Sequence, residues 1–394
     1  MKPWPEEGSG FYMKIMYFYQ GRWPHQSPGV NFVTYNAQGF YRSHINFELV
    51  TAANTREPVQ TVLKNRFGIE EPLPIRLLRV GPFRRRHRVV CLMGFFYLMC
   101  RRFDVLITRD LAFLPYALLL RRLKSCRVVF ESHDFFSDLS LFPPDFAVRR
   151  KKQSRQERRY SPKVDMIVCQ TEHQKNLYEQ HYPSQKVVTA VSGIRIYKKP
   201  TPRNRFQYRL GYIGTISSRN YDIELLIRAI AETNRADISL LLVGVKTAAE
   251  EQYAAGLAQR FGVADRIEML PWLDPVEVDR LKETIDLGCC PLIRNKRNQV
   301  ATPLKALDYF SAGIPVLYTD LEAADFIVKD NYNGFLIEDT PEAWARVIDA
   351  VYADFSRYRT LTENCFKTAQ YYSWEKRAER LQGCFTELFE FTEV

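Results

Sequence analysis

The chain has 394 residues, too many for one ordinary hydrophobic core, so the length predicts two domains. With 46% hydrophobic and 26% charged residues it has the make-up of a soluble globular protein. Its net charge of +11 calls for an anionic counterpart: nucleic acid, an anionic membrane surface or a phosphorylated ligand.

Residues 1–12 are polar and proline-bearing and read as a loose, flexible extension rather than a signal peptide. Met13-Lys14-Ile15 reads as the start of a domain. Strand-like apolar runs then alternate with helical patterns. In the first half they are Lys14–Tyr19, Phe47–Thr51, Val105–Arg109, Val128–Glu131, Met166–Cys169 and Val187–Ala190. The polar, basic stretch KKPTPRNRFQ (198–207) interrupts the pattern, which restarts with Arg209–Ile213, Ile238–Val243, Ile267–Leu270, Leu287–Pro291 and Pro315–Tyr318. Alternating strand and helix predicts parallel sheets covered by helices, and the restart predicts two such α/β units. From Pro341 to Phe391 the chain reads as helices, with Trp374, Ala378, Leu381 and Phe385 near helical spacing. The expected division is an N-terminal domain over 13–200, a C-terminal domain over 201–372, and a terminal helix over 373–394 packing back towards the first domain. Ligands of open α/β sheets sit at the carboxyl ends of the strands, so the expected site is the cleft between the two units.

The eight cysteines are scattered, with no CxxC pair and no Cys/His ligand spacing, which predicts free thiols in a reducing compartment and no structural zinc. No run of 18 apolar residues occurs, so no spanning helix is expected.

The stretch TPLKALDYFSAGIPV (302–316) is the most informative. Leu304, Leu307 and Phe310 fall at helical spacing, Pro303 suits a first helical turn, Gly313 ends the helix, and Pro315 begins a strand. Lys305 and Asp308 share one face near the positive end of that helix. A helix N-terminus beside a lysine suits a phosphate; a solvated pair on a surface helix is the competing reading. Gly211 and Gly214, after a strand, would let the backbone approach a phosphate, and Arg219 in the same loop would pair with a diphosphate. His133 follows the apolar strand Val128–Phe130, beside Asp134, at a strand's carboxyl end.

Five stretches resemble, in the right order, the C-terminal half of the GT-B glycosyltransferases of the retaining family-4 type: LGYIGTISSRNYDIELLIRAI (210–230), SLLLVGV (239–245), RIEMLPWLDPVEVDRLKETIDLGCCPL (266–292), TPLKALDYFSAGIPVL (302–317) and NGFLIED (333–339). VVFESHDF (128–135) and the segment 166–194 are similar to strands of its N-terminal half. The resemblance implies a GT-B fold: two Rossmann-like domains facing each other across a cleft, an N-terminal domain for the acceptor and a C-terminal domain for a nucleotide-diphosphate-sugar donor. It implies transfer of a sugar, with retention, to a glycan or lipid-linked acceptor in cell-surface polysaccharide or glycolipid synthesis, in the cytoplasm.

The same resemblance implies site roles. Gly214, Thr215, Arg219, Thr302, Pro303, Leu304, Lys305 and Asp308 would bind the donor, Asp308 through the ribose. Arg219 and Lys305 would neutralise the departing diphosphate, so no metal cofactor is expected; no Asp-x-Asp motif is present. His133 would face the reacting sugar, with Glu131 orienting its loop. Gly29, in the loop Gln20–Gln38, would meet acceptor or donor phosphate, while Gly21 reads as a turn. The family often carries two glutamates eight residues apart; here the positions hold Val300 and Asp308. That departure keeps two alternatives open: a catalytically silent GT-B nucleotide-binding subunit, and a nucleotide-sugar epimerase of the same fold.

Basic residues cluster at Arg84–Arg88, Arg101-Arg102, Arg121-Arg122 and Arg149–Arg159. The first two clusters bracket the apolar run Val89–Cys100, a pattern suited to an anionic membrane surface, with a buried helix as the alternative. No nucleic-acid recognition module is legible, so nucleic acid is not expected as a partner.

Overall fold

A computed structural model describes residues 13–81, 86–142, 144–196, 200–201, 203–216, 220–296, 298–300, 304–322, 324 and 326–390. The strands are β1 (Ile15–Trp23), β2 (Phe47–Ala53), β3 (Ile75–Leu78), β4 (Val105–Thr108), β5 (Arg127–Glu131), β6 (Met166–Cys169), β7 (Val187–Thr189), β8 (Arg209–Ile213), β9 (Ser239–Val245), β10 (Ile267–Pro271), β11 (Leu287–Cys290), β12 (Val316–Thr319) and β13 (Gly334–Ile337). They form two sheets, one in the order β3-β2-β1-β4-β5-β6-β7 and one in the order β10-β9-β8-β11-β12-β13. Within both sheets the paired strands run parallel, for example Tyr17 beside Leu49 and Ile107, and Leu210 beside Leu240 and Leu287. Parallel strands need helical crossovers on both faces, which is why these strands read as continuous apolar runs. The order in each half reverses at its first strand, β1 or β8, and such a reversal opens a crevice at the carboxyl ends. The architecture is therefore two Rossmann-like halves, as the α/β alternation predicts.

Two strands escape the sequence pattern, β3 and β13, and both are sheet edges. Both are only four residues long, and β3 is in addition half-solvated, so their apolar signal is weak. Arg76 is exposed inside β3, and the turn dipeptide Asn333-Gly334 masks the start of β13. Gly21, expected in a turn, lies inside β1 at an irregularity in its pairing with β2. The loop expected over Gln20–Gln38 is much shorter, because β1 runs to Trp23 and a helix begins at Pro28, capped by Ser27.

Each half has a core on both faces of its sheet. The last helix, Trp374–Glu390, belongs to the first half's core. Its Trp374, Ala378, Leu381 and Phe385 are buried with Val33, Ala37 and Phe40 of the helix Pro28–Arg42. Burial of each large apolar side chain contributes about 2 kcal/mol. Gly39 makes the close approach feasible, since a Cβ there would lie 2.5 Å from the Trp374 carbonyl oxygen. The chain thus crosses between the halves twice, once between β7 and β8 and again before Trp374.

Candidate functional site

A cavity of about 580 Å³ lies between the two sheets and draws its walls from both halves. His133, Gln170, Gln174 and Phe32 line it from the first half; Gly214, Tyr221, Trp272 and Lys305 from the second. The walls come mostly from segments following the carboxyl ends of strands, where the crevice rule puts them.

The helix expected from Pro303 spans Leu304–Phe310 in the described chain. Its end is a Schellman turn: Ile314 N–H donates to Tyr309 O at 3.1 Å, Gly313 N–H to Phe310 O at 3.0 Å, and Gly313 sits at φ 67°. Leu307 and Phe310 are buried, but Leu304, expected on the same apolar face, is 44% exposed and borders the cavity. Thr302 and Pro303 lie outside the described residues, as does Arg219, so the structure does not place these donor-site candidates. The side chain of Val300 is likewise undescribed.

Lys305 is neither solvated nor paired with Asp308. Its Nζ is buried, has no hydrogen-bond partner, and lies 3.8 Å from the ring centroids of both Tyr212 and Tyr221. Burial lowers its pKa from 10.5 to about 7, opposed by Cys290 and Asp308. Gly214 makes room for it: at φ 149° it adopts a conformation that favours glycine, and a Cβ there would fall 2.1 Å from Lys305 Nζ. Thr215 follows at the cavity wall, its carbonyl accepting from Tyr212 Oη at 2.6 Å. Gly211 plays a different part from the one its position suggests. It lies within β8 beneath Ile285, a packing role away from the cavity lining.

Asp308 faces the cavity with its side chain 53% exposed and accepts from Lys282 Nζ at 2.7 Å. Lys282 also donates to Asp279 at 3.1 Å, and Asp279 pairs with Arg195, which donates to Tyr35 Oη at 2.9 Å. This chain of hydrogen bonds and ion pairs starts at Tyr35 on the helix Pro28–Arg42 in the first half and ends on Asp308 in the second. Burial opposes the charge of Lys282, but Asp308 and Asp279 outweigh it and hold its pKa above the ordinary value.

His133 lines the cavity just beyond β5. Its Nε2 is buried without a hydrogen bond, 3.9 Å from Glu131 Oε1, and its ring meets Phe32 edge-on at 4.5 Å. Burial first, then the cations of Arg109 and Arg377, push its pKa well below 6.5, so the imidazole is neutral at pH 7. Glu131 is fully engaged behind it: Tyr17 Oη donates at 2.7 Å, and Arg377 of the last helix forms a buried ion pair with it. Gly29 sits in the first turn of its helix against Tyr19 Oη and the Arg109 guanidinium, beside Pro28 and Asn31, which border the cavity. Gly29 itself does not line it.

The sequence reading misses Arg195, Asp279, Lys282, Trp272 and Arg377. Trp272 and Asp279 fall within RIEMLPWLDPVEVDRLKETIDLGCCPL, and the capping box Asp274/Glu277 that starts the helix Pro275–Lys282, which carries Asp279, was readable as D-P-V-E. Arg377 carried no signal, because its partner lies 246 residues away. Among the described residues no three His, Cys, Asp or Glu side chains gather as metal ligands.

With this geometry established, comparison with known proteins places the chain. Residues 29–196 match the description Glycosyltransferase Family 4, and residues 207–354 match Glycosyl transferases group 1. A D-inositol 3-phosphate glycosyltransferase of Segniliparus rotundus is 27% identical over 167 residues, 41% of this chain and 36% of that protein. The chain thus spans little more than a third of that relative. Sucrose-phosphate synthase of Thermosynechococcus elongatus superposes with a TM-score of 0.74 at 16% identity, covering 96% of this chain and all of that one. The Anabaena protein Alr3699/HepE, solved with UDP and glucose, gives 0.70 at 15% identity, covering 95% and 100%. At these identities the structural likeness shows the GT-B fold.

Proposed function

Because this chain belongs to the group 1 and family 4 glycosyltransferases of GT-B fold, we propose that it transfers a sugar, with retention, from a nucleotide-diphosphate donor to a glycan or lipid-linked acceptor. The observation that carries the donor half of this reading is Lys305, a buried amine with no hydrogen-bond acceptor at the wall of an interdomain cavity. Such a group is costly unless a ligand completes it. A diphosphate supplies the missing oxygens and raises the amine's pKa, so the lysine binds as a cation. With Arg219 it offsets the charge that develops as the diphosphate leaves, which needs no metal in the step. UDP in the Anabaena neighbour supports a nucleotide of this class.

Asp308 would accept hydrogen bonds from a ribose, exchanging or sharing its contact with Lys282. The first half offers His133 as a neutral imidazole, a hydrogen-bonding partner for the sugar rather than a proton donor. Closure of the halves would keep water from the activated sugar. Among the described residues no helix is long and apolar enough to cross a membrane. Scattered, mostly buried free cysteines support a reaction in the cytoplasm.

The test is a thermal-shift screen against UDP-, GDP-, ADP- and CMP-sugars, followed by donor turnover with candidate acceptors and assignment of the anomeric configuration by NMR. Stabilisation by one nucleotide family, a metal-chelator-insensitive turnover, and a product retaining the donor's configuration are expected. Binding without turnover across acceptors would leave a silent nucleotide-binding subunit instead. An altered sugar still attached to nucleotide would mark an epimerase, and an inverted product would remove the retention assignment.

A further inference from the structure

The chain's charge excess has an address. Residues 72–130 hold thirteen Lys/Arg and two Asp, a net +11, which equals the net charge of all 394 residues. The two acids are turned inward: Asp104 accepts Lys14 N–H at 2.7 Å, and Asp110, 9% exposed, accepts Gln20 N–H at 2.7 Å. Arg76 pairs with Glu48, and Arg121 and Arg127 pair with Asp165, acids outside the segment; Arg79, Arg88, Arg101, Arg102 and Arg122 are exposed among the described residues.

The same segment exposes apolar side chains. Its helices Arg86–Met99 and Leu114–Lys124 cover one face of the first sheet, burying Val90, Leu98, Leu114, Ala117 and Leu120. Their outer faces are also apolar. Leu92 is 45% exposed, Phe96 60%, Leu119 43% and Leu123 57%. These are four of the nine large hydrophobic side chains exposed among the described residues. Within each helix the pair is four residues apart, so each makes a stripe along one outward face. The helices are neighbours: the Phe95 and Tyr116 rings lie 6.0 Å apart, and Lys124 Nζ donates to Met99 O at 2.6 Å. Exposed Arg88, Arg101, Arg102 and Arg122 flank the stripes, and Arg88, Arg102 and Arg122 have no acidic partner among the described residues. The core does not require these outer residues, because each helix already buries its opposite face.

We propose that this two-helix face seats the protein on an anionic lipid bilayer. The apolar stripes would enter the headgroup–acyl boundary while the arginines meet anionic headgroups, as in interfacial helices. Charge complementarity selects this occupant. A second copy would bring like charges together. For nucleic acid, three of the four exposed apolar side chains are aliphatic and give bases nothing to stack on. The Arg88 end is the one nearer the cavity, since Cys91 Sγ lies 3.7 Å from Gln20 Oε1, beyond the middle of β1 towards its carboxyl end. The bilayer would therefore approach the cleft from the first-half side. This inference holds whatever the donor or acceptor.

The test is cosedimentation of the full chain with vesicles of phosphatidylcholine alone or mixed with phosphatidylglycerol. Binding to the anionic vesicles, weakened by salt and absent from the neutral ones, is expected. Phe96→Asp with Leu123→Asp should abolish it at any salt. Arg102→Glu with Arg122→Glu should lower the apparent affinity roughly tenfold or more per reversed charge. Both variants should keep the wild-type melting temperature and its shift with nucleotide. Wild-type protein remaining in the supernatant with anionic vesicles, or variants that bind like wild type, would overturn the proposal. So would binding to an RNA homopolymer that excludes vesicle binding.

Discussion

Arg377 and Glu131 stand 246 residues apart and form an ion pair from which water is excluded, with exposures of 0% and 2%. The pair joins the last helix to the carboxyl end of β5, immediately behind His133. Arg377 also donates to Asn36 Oδ1 at 2.6 Å on the helix Pro28–Arg42. One guanidinium therefore ties three elements together beneath the cavity wall, and its charge is one reason His133 stays neutral.

Removing one partner leaves an uncompensated buried charge. Arg377→Met should destabilise the protein by about 3–5 kcal/mol in urea unfolding, and the double variant Arg377→Met/Glu131→Gln by less than the two single effects combined. A merely structural role would stop there. The positioning role adds that the His133 pKa rises towards 6.5 in Arg377→Met, followed by NMR titration, since one of its two depressing cations is gone. An unchanged His133 titration would show that Arg377 does not act on it.

How much of this was legible in the sequence follows from the range of the interactions. Periodicity and glycine placement found the interior strands and the helix carrying Lys305, because those signals are local. Edge strands β3 and β13 were lost where solvent and a turn dipeptide diluted the apolar run. Lys305 and Asp308 were found as residues on one helix face, but the side chains that hold them were not. The real partners are Tyr212 and Tyr221 for one and Lys282 for the other, fixed by tertiary packing. Arg377 and Arg195 were illegible, since nothing near either in sequence hints at Glu131 or Asp279.

The chain Tyr35–Arg195–Asp279–Lys282–Asp308 predicts how the two halves hold together. Asp279 faces two cations, Arg195 and Lys282, whose side chains are 11% and 3% exposed. Asp279→Asn would leave both without that charge, at a cost of about 3 kcal/mol. It should also loosen the cleft, so the radius of gyration from small-angle scattering should increase in the free protein and return when nucleotide binds. A compact, equally stable Asp279→Asn protein would show that apolar packing alone sets the closure.

Gly214 gives a sharper probe of the phosphate site. Alanine there meets both an unfavourable φ of 149° and Lys305 Nζ at 2.1 Å. The backbone strain is about 1–3 kcal/mol, and the clash with Nζ is relieved only if Lys305 leaves its place between the tyrosines. Gly214→Ala should therefore weaken nucleotide binding at least tenfold in calorimetry while far-ultraviolet circular dichroism stays unchanged. Wild-type affinity would mean that Lys305 is not held in the conformation that binds the donor.

The protonation of Lys305 links binding to pH. Its folded pKa of about 7 lies below the ordinary 10.5, so between these values the unfolded chain holds the proton and the free folded protein does not. This group therefore makes stability rise with pH across that window, and its full cost, about 5 kcal/mol, applies below pH 7. Lys305→Met should remove that slope, measured as the wild-type-minus-variant difference in unfolding free energy from pH 6 to 10. A diphosphate reverses the preference, because two or more anionic oxygens favour the ammonium form. Nucleotide binding near pH 8.5 should then take up close to one proton per site, falling towards zero below about pH 6, where the lysine is already charged. Calorimetry in buffers of different ionisation enthalpy reads this directly. Uptake that persists in Lys305→Met would assign the proton to another group, and no uptake in the wild type at pH 8.5 would mean that Lys305 does not meet the phosphate.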